Sequence, residues 1–382
     1  MVKFVKRALR RFTIFAKIVE AVRFQGAKVV TIRWKVSLVT FSSEGASAQI
    51  LKYLKPPRRS GLTQHGLYEP APLSQPQKFL FHVDAPIVVG NPPLLLSRNY
   101  EVVENSFYRN HERSWSAFAS QDVSSQLWIA RRKTPKRSSK FQICVLSSPW
   151  SNFGHWTVEH FPKVFRVIDA GLLDSTFFIL EPSCPVWKLD LLERVGVSRS
   201  QIIDWNFREC PTQFATAFVS DYPEPNFEDF TRIDQCFGPI EHETQTSQGA
   251  VFLSRQSLGK RKIQNFDDVE KVLKEFGVAV ITPESLPLEQ QVRFARGADL
   301  LIGPEGSAFT LAIFMRRGGK VIEFHGEKRL NLYNRQLAEA MGHEYIAVQQ
   351  MQTSKFRNTR SLGFSVDTEL LRNLLVAHTS IV

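Results

Sequence analysis

The apolar positions of this chain change their period along its length. From residue 141 onward, short apolar runs alternate with stretches in which apolar residues recur every three or four positions. The runs Phe141–Leu146, Thr176–Leu180 and Gln201–Trp205 predict strands, and Pro185–Val195 predicts a helix. Another helix is predicted with Pro162 at its first turn, where a missing N–H leaves no bond unmade, and Gly171 at its end. Residues 222–248 are polar and proline-bearing and read as a crossover between two units. The pattern then restarts. Strands are predicted at Ala250–Leu253, Ala279–Ile281, Leu300–Ile302 and Lys320–Phe324, and helices at Phe266–Phe276, Leu288–Arg296, Ala308–Met315 and Leu330–Met341. Such alternation predicts parallel sheets with crossover helices, most clearly in this second unit. Upstream, residues 79–105 carry strand-like runs such as Phe79–Val83 and Pro86–Val89.

The first 78 residues follow another pattern. Val5, Leu9, Phe12, Phe15, Val19 and Val22 recur at helical spacing, with Lys3, Lys6, Arg7, Arg10 and Lys17 gathered largely on the other side. Residues 2–24 therefore predict a basic amphipathic helix, suited either to an anionic membrane surface or to the protein's own surface. Pro56, Pro57, Pro70, Pro72 and Pro76 mark residues 56–78 as a linker. The expected division is a basic amphipathic extension (1–55), the linker (56–78), an N-terminal Rossmann-like unit (79–235) and a C-terminal one (236–382).

Charge sharpens this division. The 382 residues carry a net +12, and residues 1–60 alone hold 14 Lys and Arg against 2 Asp and Glu, which accounts for all of it. The balanced remainder argues against nucleic-acid binding across the folded body. The basic segment instead predicts attraction to acidic lipids, and so a cytoplasmic protein peripheral to the inner face of a membrane. No run of about 18 apolar residues is present, so no transmembrane helix is expected. The start lacks the apolar core of a signal peptide, although its acid-poor, Arg-rich composition also suits an organelle transit peptide. Cys144, Cys184, Cys210 and Cys236 form no CxxC pair and match no zinc spacing, which predicts buried thiols in a reducing compartment.

Three segments can carry chemistry. In Asp299–Phe314, a short apolar run enters Gly303-Pro304-Glu305-Gly306-Ser307 and then an apolar helix. Gly306 allows close backbone approach, Ser307 can cap the helix, and the amides of Ser307, Ala308 and Phe309 would face an anion such as a diphosphate. In Ser254–Asn265, Arg255, Lys260, Arg261 and Lys262 crowd a loop leaving a strand, at the carboxyl edge where open α/β sheets bind ligands. Arg can fork onto two phosphate oxygens, although a solvated basic loop has the same composition. In Asn152–Pro162, His155, Glu159 and His160 lie within six residues. In a helix His155 and Glu159 would share a face, whereas Pro162 disfavours helical geometry at Phe161 and would favour a loop. The spacing is not that of a His-Glu-x-x-His metal site, so no metal is expected there.

Together these segments resemble glycosyltransferase family 61, which includes capsule-biosynthesis-like bacterial members involved in polysaccharide biosynthesis. The resemblance rests on HWTVEHFPKV at 155–164, FLSR with Arg261 and Asn265, the stretch 283–315, and GGKVIEF at 318–324. It implies a GT-B architecture of two Rossmann-like domains facing a cleft, a nucleotide-sugar donor mainly in the C-terminal one, and inversion at the anomeric carbon. One departure stands out. Many members carry His where this chain has Glu305, and Gly-Ala where it has Gly306-Ser307. A carboxylate beside a diphosphate would repel it unless turned towards sugar hydroxyls or a basic group.

The expected reaction is in-line transfer of a sugar to a hydroxyl of a glycan or glycolipid acceptor. Glu159 is the first candidate base and His155 the second. Gly303, Glu305, Gly306, Ser307 and Ala308 form the expected donor turn, Arg255 and Arg261 the cations on its diphosphate, and Glu323 an acceptor for ribose hydroxyls. No cofactor or metal is called for, because cations and the turn can take the leaving charge. Two other classes fit the same features: a pyruvyl or phospho-sugar transferase, and a non-catalytic protein docking on membrane or nucleic acid.

Overall fold

The computed structural model describes residues 80–98, 140–147, 152–239, 249–326, 333–349 and 363–378, apart from a few positions within them, together with residues 78 and 103. The basic extension, nearly all of the linker and the amphipathic segment 2–24 lie outside the described residues.

The first unit is built on the parallel strands β4 (Gln142–Val145), β5 (Thr176–Ile179), β6 (Ile202–Ile203) and β8 (Thr216–Ser220), with β1 (Leu80–Asp84) antiparallel at the edge. The order is β1-β8-β4-β5-β6. The order in which strands are added therefore reverses between the parallel neighbours β4 and β8, which is where such sheets leave a crevice beyond the carboxyl ends. A three-stranded antiparallel sheet, β3 (Leu94–Leu96), β2 (Ile87–Gly90) and β7 (Phe207–Gln213), covers one side of this unit. Helix α1 (Pro162–Asp169) follows β4, and α2 (Val186–Arg194) follows β5. Helix α1 ends as its sequence requires. Gly171 turns left-handed at φ 70°, and its N–H and that of Leu172 return to the carbonyls of Ile168 and Val167.

The stretch read as a crossover contains a helix, α3 (Phe227–Gln235). Asn226 caps it by accepting from the Asp229 N–H at 2.9 Å, and Phe230 and Ile233 form its buried stripe. Only two apolar positions carry that stripe, too few to stand out from the polar residues around them.

The second unit is a wholly parallel sheet: β9 (Gly249–Leu253), β10 (Ala279–Ile281), β11 (Ala298–Pro304), β12 (Lys320–His325) and β13 (Glu344–Gln349), in the order β10-β9-β11-β12-β13. This is the 2-1-3-4-5 doubly wound order, with its reversal between β9 and β11. Helices α4 (Phe266–Glu275), α5 (Leu288–Arg296) and α6 (Tyr333–Ala340) make the crossovers, and α7 (Thr368–His378) packs beside α4. The connection from β11 to β12 departs from expectation. Ser307–Phe314 winds as a 3₁₀ helix, capped by extended Gly306 and by no side chain, so the expected capping by Ser307 is corrected.

The two units share a core. One buried cluster runs from Cys144 and Leu146 of the first sheet through Trp156, Val158 and Phe161 to Phe309, Leu311 and then Leu253 and Leu301 of the second. Fully burying side chains of this size contributes about 1.5–3 kcal/mol each. Among the described residues, no helix is long and apolar enough to cross a membrane.

Candidate active site

Asn152 begins the helical segment after β4 by accepting from the His155 N–H at 3.1 Å. The next residues, Trp156–His160, form a π-helical turn closed by Phe161 N–H to Trp156 O at 2.9 Å. Pro162 explains it. Lacking an N–H, it cannot continue the α-helical ladder, so the bond before it shifts by one residue while Phe161 stays helical at φ −59°, ψ −40°. The loop alternative for this stretch is thereby corrected. Helical winding puts His155 Nδ1 2.7 Å from Glu159 Oε1. The Tyr333 hydroxyl, from the second unit, donates to the same carboxylate oxygen at 3.3 Å and its ring lies against His155. Glu159 is buried, while His155 keeps some exposure. His160 turns into the core, where burial and the nearby Lys163 and Lys188 cations push its imidazole below the usual range. Among the described residues, no three His, Cys, Asp or Glu converge as a metal site would require.

The anion-receptive turn lies at the carboxyl ends of β9 and β11, at the switch point of the second sheet. Arg255 leaves β9 and sits against Gly306, so closely that a Cβ built there would overlap its guanidinium. Arg255 Nε is buried and has no hydrogen-bond partner among the described residues. Burial lowers the Arg255 pKa, and the adjacent Arg261 cation lowers it further, against the pull of Glu284, Glu305 and Glu323. Two cations held together in this way favour a shared anion. Arg261 has a left-handed backbone, φ 58°, a strained conformation for a residue other than Gly that costs on the order of 1–3 kcal/mol. Its guanidinium donates to the Glu305 carbonyl at 3.4 Å and lies 3.5 Å from the Glu305 carboxylate.

The other donor-turn candidates occupy distinct places. Glu305 is buried with its carboxylate between Arg261 and His325, so its charge is turned to basic groups. Gly303 faces β9: a Cβ there would lie 2.7 Å from Leu253 O, which makes it a close-packing residue of the sheet. Phe309 N–H bonds to Gly306 O at 3.3 Å, and Ser307 and Ala308 open the 3₁₀ helix, where the first amides precede the helical ladder. Glu323 requires a correction. It is completely buried, and its carboxylate accepts from Gly306 N–H, Asn334 and Tyr345, so it supports the turn from behind instead of meeting a ribose.

Tyr333, Asn334, His325 and Tyr345 were absent from the sequence reading. They stand at the ends of β12, α6 and β13, where no spacing singles them out. The carboxyl-edge rule, applied to the segment after β12, was the signal that could have nominated Tyr333 and Asn334.

The helical segment of the first unit touches the turn of the second directly. A Cβ on Gly154 would lie 3.0 Å from Thr310 Oγ1 and 3.2 Å from Ser307 Cβ. Fold and site thus define an α/β protein with a carboxylate–imidazole pair beside a cationic, amide-bearing turn. Residues 153–322, a stretch that spans both Glu159 and the turn, match the model of the family described as Glycosyltransferase 61. The family supports glycosyl transfer as the activity, with a nucleotide-sugar donor and a glycan acceptor implied. No curated protein matches the chain.

Proposed function

We propose that this chain is an inverting glycosyltransferase of GT-B type, transferring a sugar from a nucleotide-sugar to a hydroxyl of a glycan or glycolipid. In this reading residues 79–235 receive the acceptor and residues 236–382 hold the donor. The donor's diphosphate rests on Arg255, Arg261 and the amides of Ser307 and Ala308. The acceptor oxygen attacks the anomeric carbon as the bond to the diphosphate breaks. Glu159 takes the acceptor proton, and His155 and Tyr333 orient its carboxylate. The cations and amides receive the leaving charge, so the step is written without a metal.

The observation that carries this reading is a turn that holds Arg255 against Gly306 and Arg261 against Glu305, with its Ser307 packed on Gly154 of the segment bearing Glu159. Thermal stabilisation by nucleoside diphosphates tests it. Arg255→Ala and Arg261→Ala are each expected to weaken that binding by about 10- to 100-fold, the loss of a charged hydrogen bond or two. Glu159→Gln should lower turnover by about 10²-fold or more while nucleotide binding is retained. A Glu159→Gln enzyme with wild-type turnover would remove that residue from the base role.

The proposal extends to place. The concentration of net charge in residues 1–60 supports docking of residues 2–24 on the anionic inner face of a membrane, with the folded body in the cytoplasm. Deleting 2–24 should release the protein from acidic liposomes, as should added salt. Association indifferent to both would rule it out.

A further inference from the structure

Gly306 is held by both of its polar groups from inside the protein. Its N–H donates to Glu323 Oε1 at 3.3 Å, and its carbonyl accepts from Asn334 Nδ2 at 3.1 Å. The same Asn334 amide donates to Glu323 Oε1 at 2.6 Å, closing a ring of three groups. Glu323 is fixed on its other oxygen by the Tyr345 hydroxyl and flanked by His325 Nε2 at 3.6 Å. Glu323 and Asn334 are both buried, so solvent cannot replace either partner.

A residue whose N–H and C=O are both held has little freedom in φ or ψ. Gly306 is extended, φ 177°, ψ 169°, a conformation open to any residue, so backbone preference alone would not select it. The ring does. In selecting it, the ring sets the direction in which the chain enters Ser307 and Ala308, and the surface against which the Arg255 guanidinium lies. Three donors converge on the Glu323 carboxylate, which the charged form satisfies best. Burial pushes its pKa up, opposed by His325, Tyr345 and Asn334. Such an arrangement is costly to assemble for packing alone.

We propose that Glu323 and Asn334 are positioning residues that clamp the Gly306 peptide so that the Ser307 and Ala308 amides and Arg255 converge on the donor's diphosphate. The proposal rests on the donor-site reading given above. Neither residue touches the nucleotide. Each acts through the peptide it holds.

The test compares two losses from one buried network. Asn334→Ala removes the bond to Gly306 O and one bond to Glu323. Tyr345→Phe removes one bond to Glu323 and one to His325, and leaves both bonds to Gly306 in place. The full chain and both variants are screened for thermal stabilisation by UDP, GDP, ADP and CDP, and the strongest binder is titrated by calorimetry. Both variants should melt lower than wild type. Only Asn334→Ala should lose affinity, by about tenfold or more, the equivalent of one misplaced hydrogen bond, whereas Tyr345→Phe should stay within about twofold of wild type. Should Asn334→Ala not fold, Glu323→Ala is titrated in its place with the same expectation. Affinity unchanged in the Asn334 variant, or lost equally in the Tyr345 variant, would overturn the clamp and leave the donor site standing. A wild-type chain that binds none of the four nucleotides would overturn both.

Discussion

A methyl group on Gly306 would occupy the space of the Arg255 guanidinium. The obstacle is the far end of a flexible side chain, so the protein can relieve it by moving Arg255 away. Gly306→Ala is therefore expected to fold with a melting temperature within a few degrees of wild type, a stability change of about 1 kcal/mol. The displaced cation should lower nucleoside diphosphate affinity by about tenfold, as charged hydrogen bonds to phosphate are lost. Calorimetric titration beside a melting curve separates these effects, and an unchanged affinity would show that Arg255 does not depend on that contact. The neighbouring Arg261 has its own constraint. Its left-handed backbone aims the guanidinium at Glu305, so the carboxylate that the sequence made a puzzle beside a diphosphate is already engaged with a cation. Lys163, buried behind Glu159, has its pKa lowered by burial to about 8, so the charge next to the candidate base is itself close to titrating.

At the scale of elements, what was legible depended on where each element's partners lie in the chain. Leu288–Arg296 was read to the residue because one apolar face and Gly297 after it define the helix locally. Strands β7 and β8 were not read. FRECPTQ contains a proline and a charge pair that argue against a strand, yet β7 bonds only to β2, more than a hundred residues earlier, and as an edge strand it tolerates Pro211. The candidate site divides likewise. Arg255, Arg261 and Gly306 were visible because cations and glycines cluster in sequence, whereas the Asn334 and Tyr345 partners of Glu323 became visible only once β12, α6 and β13 were laid side by side. The π-helical turn could not be read either, since Pro162 argued for a break and the chain shifted its hydrogen-bond register instead. That shift sets where Glu159 points. In Pro162→Ala the new N–H can bond four residues back and restore an α-helical register, turning Glu159 relative to Tyr333. Turnover should fall by about tenfold or more, while stability changes by no more than about 1 kcal/mol. Wild-type turnover in this variant would mean that the π-helical register is incidental to the chemistry.

At the scale of the whole molecule, the two parallel sheets are joined by the segment bearing Glu159 and the 3₁₀ helix after Gly306. Trp156, Val158 and Phe161 of the Glu159 segment and Phe309, Leu311 and Ile313 of the 3₁₀ helix after Gly306 belong to one buried cluster that also holds side chains of both sheets. Neither sheet can unfold alone without exposing the other's apolar face. The described body is therefore expected to melt as one cooperative unit, with calorimetric and van't Hoff enthalpies in agreement. Two resolved transitions would contradict a shared core. The same joint makes activity sensitive to spacing. Gly154 meets Thr310 and Ser307 at distances where a Cβ forces movement of a few tenths of an ångström between the Glu159 segment and the turn. Gly154→Ala should therefore preserve the single transition, with a loss of about 1–2 kcal/mol from overpacking. It should lower kcat more than nucleotide affinity, because Arg255 and Gly306 stay together while Glu159 is pushed away from them. A variant that lost affinity and kcat in equal measure would instead place the strain within the turn, and the joint between the sheets would have no separate part in catalysis.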